Sequence, residues 1–111
     1  MAEATYVQYG DAIDYTPGAD VAVGQVVVLN DLIGIAKKAI PANTLGTLAV
    51  EGVFDVGKED GAAVTFAIGD LVYWDDTNKF AVATDGAGAN KLLGKAVKAA
   101  ADADTLVRVR M

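Results

Sequence analysis

Short apolar runs separated by glycine recur along this chain, a spacing that predicts strands joined by tight turns. In "TYVQYGDAIDYT" Val7 and Tyr9 alternate with polar neighbours, the chain turns at Gly10-Asp11, and the alternation resumes with Ile13 and Tyr15, so the stretch reads as strand, turn and strand. "PGAD" closes it. "VGQVVVLN" is a continuous β-branched run suited to a strand covered on both faces, with Asn30-Asp31 as a turn before "LIGIAKKAI". "GTLAVEGVFDVG" reads as one longer strand, and the spacing of Leu48, Val50 and Val53 predicts a bulge near Gly52. Leu71 to Trp74 and Phe80 to Thr84 are strand-like. "DDTNK" between them suits a type I turn with Asn78 left-handed and Asp75 or Asp76 accepting backbone N–H groups. The expected class is all-β: a small β-barrel or sandwich of short antiparallel strands in one domain, with an extended N-terminal segment over residues 1–9 that serves as an arm or an edge strand.

The order of these pieces repeats. "VGQVV" at Val23 to Val27 resembles "IGDLV" at Ile68 to Val72, and "LIGIAKKAI" at Leu32 to Ile40 resembles "LLGKAVKAA" at Leu92 to Ala100. A small polar loop and a strand follow in each half, "ANTLGTLAV" and "DADTLVRVR". Two related β units are expected, the Asp75 to Lys79 hairpin being inserted in the second, against the alternative that short apolar-glycine strings match by chance. The repeat bears on residues 89–102, where Ala, Leu and Lys favour a helix by propensity. Gly94 in its middle and the β-branched Ile33, Ile35 and Ile40 of the matching segment favour a strand.

Composition removes several functions. The 111-residue chain has 53% hydrophobic residues but no run long enough to cross a bilayer, and its first residues lack the basic and apolar parts of a leader. A protein that stays in the cytoplasm where it is made is expected, with no membrane partner. Nine Lys and Arg against fifteen Asp and Glu give a net charge of -6, which opposes the counterion release that drives nucleic-acid binding. The chain has no histidine and no cysteine, so disulfides, thiolate zinc sites and the commonest general base are absent.

The remaining chemical motifs are weak. Adjacent carboxylates at Asp75 and Asp76 point to opposite faces if they lie on a strand, whereas a catalytic pair must flank one substrate, so the turn reading is preferred. "LLGKAV" contains a Gly-Lys pair, but Ala89 and Ala96 stand where a phosphate loop needs glycine and Ser or Thr. "DGAGANKLLG" lacks the dinucleotide spacing and reads as a flexible loop. "GKEDGA" and "AADADT" lack the ligand alternation of a calcium loop and read as solvated turns. No catalytic residue, metal site or cofactor is expected.

Taken together, "YVQYGDAIDYTP", "VGQVVV", "GIA", "GTLAVEGVFDV", "GDLVYWD", "LLGKAVKAA" and "TLVRVRM" resemble the small capsid cement, or decoration, proteins of tailed phages, from Tyr6 to Met111. The recombinase label that members of this family often carry does not suit a chain this short without a phosphate loop. The resemblance implies a non-catalytic virion protein on the exterior of the expanded head, with the phage major capsid protein as partner and a homotrimer as its form. Thr5, Tyr6, Val7, Gln8 and Tyr9 are the first expected contact residues, as an aromatic-bearing terminal segment that orders on binding or adds a strand to an edge. Tyr73 and Trp74 are expected as interface anchors or core, and Arg108 and Arg110, on one face of the last strand, as contacts to an acidic neighbour or as surface ion pairs. The alternative reading is a carbohydrate-binding or adhesion module with Tyr6, Tyr9, Tyr15 and Trp74 on a concave face.

Overall fold

The structure is a computed structural model that describes residues 3–59 and 64–111. Among the described residues nine strands form two antiparallel sheets. The first holds β1 (Ala12–Tyr15), β2 (Val26–Leu29), β3 (Leu32–Ile35) and β4 (Gly46–Ala49) in the order β1-β4-β3-β2. The second holds β5 (Val53–Gly57), β6 (Leu71–Asp75), β7 (Phe80–Val82), β8 (Lys91–Ala96) and β9 (Leu106–Arg110) in the order β5-β9-β8-β6-β7. Neither sheet closes on itself, so the fold is two packed open sheets rather than a barrel.

With β7 set aside the two orders are the same, a Greek key traced in reverse. Local bonding repeats as well. Gly24, at φ 80°, donates its N–H to Ala36 O at 2.6 Å, and Gly69, at φ 94°, donates to Ala96 O at 2.7 Å. The turn before each is tied by a side chain: Ala22 N–H donates to Gln25 Oε1 and Ala67 N–H to Asp70 Oδ2. Val21 and Ile40 exchange backbone bonds, as do Phe66 and Ala100. The matched segments are therefore a structural repeat, with β7 as the inserted piece.

Residues 91–96 are strand, and Gly94 has a steric reason to be there. A Cβ at Gly94 would lie 2.8 Å from Val109 Cγ1 and nearer still to the backbone carbonyl of Arg110. Its counterpart Gly34 holds the same relation to Leu48, whose Cβ would lie 2.8 Å away. Leu48 and Val109 are both fully buried, so in each unit a glycine lets β4 or β9 press against the hairpin.

Three expectations are corrected. Val7 to Tyr9 form no strand: among the described residues β1 pairs only with β4, and the preceding segment lies exposed without pairing to its free edge, so the alternation has no buried face to serve. "GTLAVEGVFDVG" is two strands, because at Gly52, with φ 135°, the chain leaves the first sheet and enters the second. In the β6–β7 turn the left-handed residue is Lys79, at φ 63°, and not Asn78.

The sheets pack front to back. On its front face the first sheet carries Ile13, Tyr15, Val27, Leu29 and Leu48, closed by Val21, Ala36 and Ile40 from its connections into a small core. The second sheet builds the corresponding core from Val56, Phe66, Val72, Trp74, Ala96, Ala100, Val107 and Val109. Val26, Val28 and Ile33, on the back of the first sheet, pack onto that second core. The β2 run thus has packing on both faces, with Val27 buried and Val26, Val28 and Leu29 half-buried, short of the full burial on both faces that its composition predicts. Gly94→Ala is expected to lower the urea midpoint by the equivalent of about 1–3 kcal/mol or more, because backbone must move. Gly34→Ala should also destabilise, whereas Gly57→Ala, with open space around it, should stay within about 0.5 kcal/mol.

Candidate interaction surfaces

The adjacent carboxylates at the end of β6 build the hairpin. Asp75 Oδ1 accepts the N–H groups of Thr77 and Asn78 at 3.0 and 3.1 Å, and Oδ2 accepts Asn78 Nδ2 at 2.9 Å. These bonds, the Asn78 backbone N–H first, hold its carboxyl below the ordinary 3.8. Asp76 Oδ1 accepts Lys79 Nζ at 2.8 Å and the indole N–H of Trp74 at 3.1 Å, and the Lys79 bond lowers its pKa too. Asp75 shapes the turn and Asp76 anchors the buried Trp74 to it.

The N-terminal segment is the most exposed aromatic stretch among the described residues. Thr5, Tyr6, Val7, Gln8 and Tyr9 all face solvent, with Tyr6, Val7 and Tyr9 at 76%, 84% and 83% exposure. Tyr6 and Tyr9 meet edge to face, with ring centroids 6.4 Å apart, and Gln8 Nε2 donates to Ala12 O at 2.8 Å. Gln8 ties the base of this arm to β1, and both aromatic rings stay largely in solvent while meeting each other.

A second surface lies on the back of the second sheet. Strand alternation turns Val72, Trp74, Val107 and Val109 inward and Leu71, Tyr73, Leu106, Arg108 and Arg110 outward. Register completes the outer face: Tyr73 pairs with Leu92, Leu71 with Lys95, and Arg110 with Val53 and Lys95. A bulge in β8 at Leu93 puts Leu92, rather than Leu93, opposite Tyr73. Three of the expected residues, Tyr73, Arg108 and Arg110, therefore share one face. Trp74 is 7% exposed and belongs to the core. Arg108 is held by Asp55 through Nε at 2.9 Å and its terminal nitrogen at 3.1 Å, a surface ion pair that lowers the Asp55 pKa. Arg110 makes no ion pair among the described residues. Trp74 lies in one core and Tyr15 against the other, so the four aromatics of the carbohydrate reading do not form one concave face.

No signal in the sequence marked Lys58. It is 6% exposed, and its Nζ donates to the carbonyls of Glu59, Asp102 and Asp104 at 2.8, 3.3 and 3.1 Å. The ammonium pins the end of β5 to the loop before β9. "GKEDGA" runs into residues 60–63, outside the described residues. In "AADADT" Asp104 accepts the Ala101 N–H, and no group of three or more acidic side chains among the described residues could hold a metal. A shallow depression of about 250 Å³ brings Asp55 and Asp104 together, but the first is tied to Arg108 and the second to that N–H.

What the described residues offer is an exposed arm and a mixed apolar and basic sheet face. A family model of phage cement proteins matches residues 7–111. The chain belongs to the phage cement protein family. No curated protein and no solved structure matches it. Membership assigns a capsid-associated structural role and a place in the virion. Among the described residues no helix is long and apolar enough to cross a membrane.

Asp31, bonded to Lys91, shares the lowered pKa of Asp55, Asp75 and Asp76. A carboxyl with a folded value below its unfolded one contributes stability that is present above the unfolded value and lost as pH falls through the folded one. Thermal melts should therefore hold level from about pH 7 to about pH 5 and fall below about pH 4, and Asp75→Asn should make the acid limb shallower. Lys58→Met should cost about 1–3 kcal/mol in urea unfolding, since it leaves buried carbonyls without their donor.

Proposed function

We propose that this cement protein binds the outer surface of the expanded phage head as a trimer, through the major capsid protein, and stabilises the shell without catalysis. The family match along nearly the whole chain supports this reading, and the exposed aromatic arm is the observation that carries the mode of contact. A cement subunit has to bury apolar and aromatic surface across neighbouring capsid proteins so that internal pressure does not part them. Tyr6, Val7 and Tyr9 supply such surface on a segment that belongs to no strand of the described sheets, able to add a strand to a capsid-protein edge as it orders. Ligands that bind only the expanded state stabilise that state by mass action.

The test is co-sedimentation with expanded heads stripped of this protein, alongside unexpanded procapsids and naked DNA. Saturable binding to expanded heads alone, with raised heat resistance of the shell, is expected. Tyr6→Ala/Tyr9→Ala should weaken that binding about tenfold or more while leaving the thermal melt unchanged, because neither ring supports the fold. Absence of binding to any shell by the folded protein would sink the proposal.

A further inference from the structure

Within one chain the two units associate through unlike faces: the back of the first sheet sits on the front of the second. Val26 and Ile35 from the first unit line one small void with Phe54, Val56 and Trp74 from the second, and Asp31 reaches Lys91 at 2.9 Å across the same boundary. Such a head-to-tail join leaves both of its faces unused once, on opposite units.

The unused back is on the second sheet. Register identifies its residues: Leu71 stands where the first unit has Val26, Tyr73 where it has Val28, and Leu92, opposite Tyr73, where it has Ile33, opposite Val28. In the first unit these positions are covered by the second sheet; in the second unit Leu71 and Leu92 are 45% and 50% exposed. The unused front is on the first sheet. Ile13, Tyr15 and Leu29 occupy the places of Phe54, Val56 and Trp74, and all three are half-buried.

We infer that the back of the second sheet, centred on Leu71, Tyr73 and Leu92, docks a second copy of this chain on the front of that copy's first sheet, repeating between molecules the packing found within one. The occupant follows from continuity: the same face of the same fold already receives the same fold once in the molecule. Charge allows it, since this face carries Lys95, Arg108 and Arg110 against Asp55 and Asp75 and so lacks the negative excess by which chains of net charge -6 otherwise repel each other. Head-to-tail contacts of this kind close into rings or extend as filaments, and a small ring is the form compatible with the trimer proposed above. The inference adds the contact face to that trimeric reading and requires no shell.

Sedimentation velocity of the full chain, without capsids, measures the association, and the absence of cysteine makes cross-linking clean. The wild type is expected to sediment as a closed oligomer at micromolar concentration. Leu71→Glu/Leu92→Glu, at half-exposed positions, is expected to keep the circular dichroism spectrum and weaken association about a hundredfold or more. Leu71→Cys mixed with Leu29→Cys should be joined by a short bis-maleimide, as Val26 and Trp74 are neighbours within the chain, whereas Leu71→Cys alone should not link to itself. A monomer at all concentrations, an undiminished oligomer in the glutamate variant, or self-linking of Leu71→Cys would each overturn the inference. A monomer that still binds expanded heads would overturn it and leave shell binding standing.

Discussion

Burial of Val26, Val28 and Ile33 beneath the second sheet is the contact on which the remainder of this molecule depends. The strands of the first sheet are only four residues long, and sheets that short gain too little from one covered face to order themselves. Apolar surface removed from water stabilises by about 25 cal/mol per Å², so covering Ile33 fully and Val26 and Val28 in part adds a contribution that one covered face alone does not supply. The join also explains why the chain leaves the first sheet at Gly52: β4 has to end on one layer and β5 begin on the next within a few residues. A glycine at φ 135° permits a bend that a side chain would resist.

Repetition of one Greek key makes an economical structural protein. Each unit needs a glycine on the third strand of its key, a tied glycine turn ahead of the hairpin and an apolar plug from its connections, and the chain supplies each of these twice. The two units differ where their surroundings differ. Ile35, covered by the neighbouring sheet, has Lys95 as its counterpart, and Lys95 faces outward. The small core residues Val21 and Leu29 correspond to Phe66 and Trp74 in the unit that must also seat its partner. Larger aromatic side chains fill the wider space that a second layer creates.

The polar groups follow the same economy. Asp75, Asp76, Asp70 and Asp104 are each engaged with nearby backbone or side-chain donors that shape a turn, and Lys58 is surrounded by carbonyl oxygens. Carboxylates used in this way set loop geometry, and at Asp75 and Asp76 the bonds favour the charged form. The outward arginines are different: Arg108 is restrained by Asp55, while Arg110 projects from the same face. A surface of this composition suits protein partners, consistent with a capsid-associated role.

Local patterning in the sequence determined the elements and the repeat. Alternation placed Val72 and Trp74 opposite Tyr73, the apolar-glycine strings marked both hairpins, and the Asp-rich turn followed from the affinity of short carboxylates for backbone N–H groups. The same alternation assigned Arg108 and Arg110 to a common face. Tertiary structure decided which strands pair and which faces are left open. Val7 and Tyr9 have the alternation of a strand, yet they do not pair with the open edge of β1 and nothing among the described residues covers them, so both side chains stay in solvent. Trp74 is core because a sheet lies over it, Leu71 is exposed because none does, and Lys58 is buried because the loop before β9 turns its carbonyls toward it. Periodicity is a property of neighbours along the chain, whereas burial depends on what another part of the chain brings to the same place.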